Sequence, residues 1–236
     1  INKKILTFEG TSNDAMKCGY EHFMLKEIHE EPKVINNILS YYVTDNHFNE
    51  NMPKFKKYKE IYFVGCGSAA YTADIAKKVF EKYVNVKCEV FLASEYRYQK
   101  NILGRNKLII LISQSGETAD TITCLKIAKE LHYDTLGIVN VVGSTIARMA
   151  DKVLYINAGC EIAVATTKAY LLQVFMLSMI VYKNMINKDK FHYDVTIKDK
   201  IDKLVSKNYT KIIKNIYQKD HIFFIGRLVD YALCLE

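Results

Sequence analysis

The chain has 236 residues, half of them hydrophobic and a quarter charged, an ordinary composition for a globular protein with one sizeable core. Its formal charge of +7 does not mark a nucleic-acid binder, because the lysines are scattered, cluster locally only at 54–59 and 188–214, and accompany no base-reading motif. No apolar run reaches the ~18 residues needed to span a bilayer, and Ile1-Asn2-Lys3-Lys4-Ile5-Leu6 opens no signal peptide, so a cytoplasmic protein without membrane partners is expected.

Phe23, Met24, Ile28, Val34, Ile35, Ile38 and Leu39 fall at helical spacing within 20–42. Pro32 predicts either two helices there or one that restarts with Pro in its first turn. A polar stretch follows over 44–59, and then the rhythm changes. From Glu60, β-rich runs at 61–64, 88–92, 108–112, 135–139 and 152–156 alternate with helical patterns at 69–83, 118–132 and 144–149. Such alternation predicts an α/β fold, a parallel sheet with helices on both faces. A long helix is expected over about 165–187 and a second amphipathic one over about 195–217. Ala169 to Tyr182 is the longest apolar run; Gln173 and Ser178 interrupt it, so it reads as a buried helix. The closing run Ile222-Phe223-Phe224-Ile225-Gly226 predicts a strand feeding a new helix.

Cysteines occupy positions 18, 66, 88, 124, 160 and 234, without a Cys-x-x-Cys pair and mostly in apolar stretches. They read as reduced core residues of a cytosolic protein. The six histidines do not fall at ligand spacing beside them, so no metal is expected.

In an open parallel sheet, ligands bind outside the carboxyl ends of the strands. Three loops qualify. Gly65-Cys66-Gly67-Ser68-Ala69-Ala70 follows the run 61–64 and matches Gly-x-Gly-x-x-Ala, which admits a dinucleotide site, with Glu95 as ribose acid, or a glycine turn needed only for packing. Ser113-Gln114-Ser115-Gly116-Glu117-Thr118 joins the run 108–112 to a helix start, where hydroxyls, an amide and backbone N–H groups can cradle a phosphate without metal. Capping by Ser115 or Thr118 accounts for part of this loop but does not call for Ser, Gln and Ser ahead of the helix. Gly159-Cys160-Glu161-Ile162-Ala163-Val164-Ala165-Thr166-Thr167-Lys168 brings two hydroxyls and a cation to the start of the long helix, a cap by itself and a sugar-binding edge beside the other two.

At Gly65–Ser68, Ala93–Tyr98, Ser113–Thr121 and Ala165–Tyr170 the chain resembles the sugar isomerase (SIS) domain family. Within it, the run His22-Phe23-Met24-Leu25-Lys26-Glu27-Ile28-His29-Glu30-Glu31-Pro32 resembles the segment joining the glutaminase and isomerase halves of glutamine–fructose-6-phosphate aminotransferases. That resemblance implies a three-layer, flavodoxin-like sandwich around a five-stranded parallel sheet. It divides the chain into a helical segment at 1–45 after a glutaminase domain, a first SIS domain at 46–190, and a connection at 191–236 leading to a second. The whole enzyme so implied makes glucosamine 6-phosphate and glutamate from fructose 6-phosphate and glutamine, as a homodimer, with no cofactor. Ser113, Gln114, Ser115 and Thr118 are then expected to hold the sugar phosphate, and Cys66, Gly67, Ser68, Val164, Ala165, Thr166 and Lys168 to line the sugar. Ala69 stands where the family often has Ser, and Thr166 replaces a Ser but keeps its hydroxyl. Isomerisation needs a base to move a proton between C1 and C2. The family's base lies downstream of the position matched by Glu236, so the catalytic residues are expected beyond it. A sugar-phosphate-sensing regulatory module and an amino-sugar-phosphate deaminase or deglycase are the alternatives within the family.

Overall fold

A computed structural model describes residues 15–45, 47–98, 106–185, 194 and 196–236. Residues 1–6, with the signal-peptide reading, and residues 186, 187 and 195, at the ends of two expected helices, lie outside the described residues.

Five strands form the sheet: β3 (Glu60–Gly65), β4 (Lys87–Leu92), β5 (Lys107–Ser113), β6 (Asp134–Val139) and β7 (Lys152–Tyr155). All their pairings are parallel, in the order β4-β3-β5-β6-β7. Each strand lies within a residue or so of its expected run. A short antiparallel hairpin, β1 (Val43–Thr44) and β2 (His47–Phe48), interrupts the polar stretch before the sheet.

Every residue of β5 is buried, because it is the central strand and is covered on both faces. Its side chains alternate between two cores. Leu108, Ile110 and Ile112 join Ile61, Phe63, Leu136 and Ile138 on one face. Ile109 and Leu111 join Val64, Cys124, Leu125 and Ile146 on the other. Each such side chain contributes roughly 1.5–3 kcal/mol on burial, so a one-residue slip of β5 would exchange both faces at once.

The first face is covered by α1 (Phe23–Tyr42), α2 (Ser68–Tyr83) and α6 (Lys168–Asn184). The second is covered by α3 (Ala93–Tyr96), α4 (Ala119–Glu130) and α5 (Thr145–Met149). The result is the expected three-layer α/β sandwich. In α6, Ala169, Leu172, Gln173, Met176, Leu177, Ile180 and Val181 are buried, while Ser178 faces solvent. Tyr42, at the end of α1, closes the sheet edge. Its hydroxyl donates to the Tyr155 carbonyl (2.9 Å) and accepts from the Tyr155 amide (2.8 Å), which occupies backbone groups of an edge strand.

Three expectations are corrected. First, α1 is a single helix that runs through Pro32 without a break. Proline in a helix interior costs ~3 kcal/mol; here Val34, Ile35, Ile38 and Leu39 beyond it are all buried in the first core and hold the two halves in line. Second, the helix expected over 195–217 is two, α7 (Ile197–Val205) and α8 (Thr210–Ile216), neither with a buried residue. Third, 222–226 forms no strand. Ile222, Phe223, Phe224 and Ile225 are exposed, with no strand among the described residues to pair them, before α9 (Val229–Leu235) packs against α2 through Ala232.

Cys18 and Cys160 are exposed rather than core residues. Cys88 and Cys124 are buried, and burial pushes both thiols up to about 12, which keeps them protonated and inert. No helix among the described residues is long and apolar enough to cross a membrane.

Candidate functional site

In this strand order the chain moves outward in opposite directions from β3 and β5, so the crevice between their carboxyl ends is the topological switch point. A cavity of about 430 Å³ opens there, within the size range of small-molecule sites. Its walls come from all three loops: Cys66, Ser68 and Ala69 after β3, Ser113 to Ser115 and Thr118 after β5, and Glu161 with Ala163 to Thr166 ahead of α6.

The loop after β5 is held open from within. The Ser113 hydroxyl accepts from the Gly116 amide (3.0 Å) and shares a proton with the Thr118 hydroxyl (3.1 Å). Ser115 Oγ accepts from the Glu117 amide at 3.1 Å. A serine oxygen that accepts a backbone proton still has its own O–H to donate, so Ser115 retains a donor for a ligand. Thr118 is the N-cap of α4 but makes no side-chain cap bond, which leaves first-turn amides free for an anion.

The next connection clamps this loop from behind. Asn140 N–H donates to the Gln114 carbonyl (3.0 Å) and Ile146 N–H to the Gly116 carbonyl (3.0 Å). Glu117 accepts from the Thr145 amide at 2.6 Å, and the Thr145 hydroxyl and amide hold its carboxyl below the usual range. Gly116 has a φ of +66° and faces Ser144, whose Oγ would lie 2.1 Å from an added Cβ. No larger residue fits.

The glycines after β3 differ in purpose. A Cβ on Gly65 would lie 2.9 Å from the Ala69 backbone, so this glycine serves strand–helix packing. Gly67, the N-cap of α2, takes φ +54° over open space. Ser68 donates to Glu236 Oε1 at 2.7 Å. Glu95 is exposed, pairs with Ser94 and does not line the cavity, so the ribose-acid role has no support.

Nine of the eleven residues expected to bind line the cavity: Ser113, Gln114, Ser115, Thr118, Cys66, Ser68, Val164, Ala165 and Thr166. Gly67 and Lys168 do not. Lys168 is buried, and its ammonium reaches Glu30 of α1 at 2.6 Å rather than the crevice. Among the described residues the lining therefore carries two carboxylates, Glu161 and Glu236, and no lysine or arginine. An anion here would be held by hydroxyls and amide dipoles.

Sequence reading missed Glu161 and Gln173. Glu161 caps α6 by accepting from Thr167 N (3.0 Å), Ala169 N (3.1 Å) and Thr166 Oγ1 (2.9 Å). It precedes the helix by too many residues for a capping box, so no local signal marks it. Gln173, bonded to Thr72 Oγ1 at 3.3 Å, did leave one: a polar residue within an apolar helical run. Among the described residues no group of three His, Cys, Asp or Glu side chains is placed to hold a metal ion.

Residues 54–183, more than half of the chain, match the SIS domain. The chain belongs to the SIS domain family. As an SIS domain it is similar to curated proteins named glutamine–fructose-6-phosphate aminotransferase [isomerizing]. The one from Clostridium acetobutylicum is 37% identical and the one from Clostridium tetani 39%, each over 100% of this chain. The chain spans 42% of the length of either relative. Among solved structures, the C-terminal domain of glucosamine-fructose-6-phosphate aminotransferase from Francisella tularensis superposes with a TM-score of 0.81 and 33% identity, covering 93% of this chain and 66% of that one. A glucosamine-6-phosphate deaminase from Thermotoga maritima, at 22% identity and a TM-score of 0.70, shares the SIS fold.

Proposed function

We propose that this SIS domain binds a hexose 6-phosphate, and that it does so as part of an enzyme that makes glucosamine 6-phosphate from fructose 6-phosphate and glutamine. The observation that carries the first half is the loop after β5. It sets two serines, a threonine and the uncapped first turn of a 12-residue helix around one cavity with no cationic side chain among the described residues of its wall. Phosphate suits such a cradle because the helix dipole and convergent N–H and O–H donors stabilise a dianion without a counter-ion. The second half draws on relatives named glutamine–fructose-6-phosphate aminotransferase [isomerizing].

In this reading Ser113, Ser115 and Thr118 hold the phosphate while Gln114 and the α4 amides complete its shell. The sugar extends toward Cys66, Ser68 and the 163–166 edge. Amination and isomerisation are proposed for the whole protein, because the present chain spans only 42% of the length of these relatives. The cavity's own carboxylates are engaged: Glu161 as a helix cap and Glu236 with Ser68.

Calorimetric titration with fructose 6-phosphate, fructose and NAD tests the proposal. Saturable binding of the phosphate ester, fructose at least ~10-fold weaker and no NAD binding are expected, since one lost charged contact alone is worth ~1.5–3 kcal/mol. Equal affinity for fructose and its 6-phosphate, or binding of NAD alone, would sink it.

A further inference from the structure

The segment 161–167 forms one wall of the cavity yet belongs to no strand or helix, so no ladder fixes its backbone. Glu161 ties its far end to α6. The middle is tied by a residue over a hundred positions away. Glu27, on α1, accepts from the Ile162 amide at 2.6 Å and from the Ala163 amide at 3.1 Å through one oxygen, Oε1. Its neighbour Glu30 joins Lys168 (2.6 Å) and Lys26 (3.4 Å), which keys α1 onto the first turn of α6 beside the same segment.

Glu27 is 1% exposed, and its second oxygen has no hydrogen-bond partner among the described residues. Burying a carboxylate in that state opposes folding, and an apolar side chain of similar size would pack at less cost. What a carboxylate adds at this position is its hold on two loop amides. The phosphate cradle has separate supports. Its carbonyls at Gln114 and Gly116 are bonded by Asn140 and Ile146, and Glu117 by Thr145, all between the end of β6 and the first turn of α5.

We propose that Glu27 is a positioning residue for the sugar end of the site: through the Ile162 and Ala163 amides it sets where Ala163 to Thr166 stand, and thereby affinity for the sugar rather than for the phosphate. This rests on the hexose-phosphate reading. It assigns to α1 a part in ligand selection, made through backbone and without contact with the ligand.

Three measurements on the 236-residue chain test it. In the wild type, amide exchange at Ile162 and Ala163 is expected to be slow although Ile162 is exposed; exchange at the unprotected rate at both would overturn the tie itself. Glu27→Ala is expected to raise the Kd for fructose 6-phosphate about tenfold and leave that for inorganic phosphate within twofold. Glu27→Gln keeps an acceptor oxygen and is expected to fall between, and it carries the comparison if the alanine variant does not fold. Unchanged fructose 6-phosphate affinity in both variants, or equal loss for both ligands, overturns the proposal. A wild type that binds inorganic phosphate but no fructose 6-phosphate overturns instead the hexose reading beneath it, while the exchange data still decide whether Glu27 holds the loop.

Discussion

Replacing Ser113 by alanine separates the two jobs its hydroxyl does. In the free protein Oγ accepts from the Gly116 amide (3.0 Å) and pairs with Thr118 Oγ1 (3.1 Å), and the residue is 4% exposed. Alanine leaves a buried N–H without its acceptor, a loss of about 1–3 kcal/mol. For a chain of this size that lowers Tm by roughly 2–12 °C. In the proposed complex the same hydroxyl donates to a dianion, and losing it is expected to cost ~1.5–3 kcal/mol, or about 10- to 150-fold in Kd. Thr118→Ala divides the effects. Thr118 makes no cap bond, so its loss is expected to weaken fructose 6-phosphate binding with a smaller change in Tm. Calorimetry with fructose 6-phosphate and fructose, beside thermal melts of each variant, reads both. If Ser113→Ala bound fructose 6-phosphate as tightly as the wild type, or lost fructose and its phosphate in equal measure, the hydroxyl would not face the phosphate.

Two further outcomes are expected. Gly116→Ala places a methyl 2.1 Å from Ser144 Oγ at φ +66°; left-handed backbone alone costs ~1–2 kcal/mol and the clash adds to it, so denaturant unfolding is expected to show a loss of about 2–4 kcal/mol, and a change below about 0.5 kcal/mol would contradict the packing described. Glu31 carries a pH dependence: burial first, and the Glu161 charge second, push its carboxyl from 4.5 up to about 7. Because the folded state binds this proton more tightly than the unfolded chain does, Glu31 favours folding most below pH 4.5, and that contribution is lost as pH rises toward 7. Glu31→Gln is therefore expected to match the wild type near pH 4.5 and to exceed it in stability at pH 8, by an amount that solvent screening keeps modest; denaturant curves at the two pH values decide, and equal stability at both would refute the shift.

Much of the chain was legible because its signals are local. Strand β5 reads as Leu108-Ile109-Ile110-Leu111-Ile112 because a strand covered on both faces must be apolar on both, and its hydroxyl-rich exit reads as an anion cradle because donors and helix start are adjacent in sequence. Pro32 misled for the complementary reason. A proline's local penalty is visible, whereas the buried Val34, Ile35, Ile38 and Leu39 that outweigh it are buried by strands and helices from elsewhere. Ile222 to Ile225 have the composition of a strand, but a strand exists only beside a partner, and none lies there among the described residues.

Sequence by itself determined the α/β class, the positions of the five strands and the place of the hydroxyl-rich loop from Ser113 to Thr118 at a strand end. Only the tertiary structure decided which charges face the cavity. Lys168, a free cation by sequence, is taken by Glu30, and Glu161 and Glu27 hold the cavity wall at 162–167 through backbone amides that no spacing rule connects to them. Hydrogen-bonded loops and helix starts are written in neighbouring residues. The pairing of buried charges is not, because it depends on which distant segments packing brings within about 3 Å of each other.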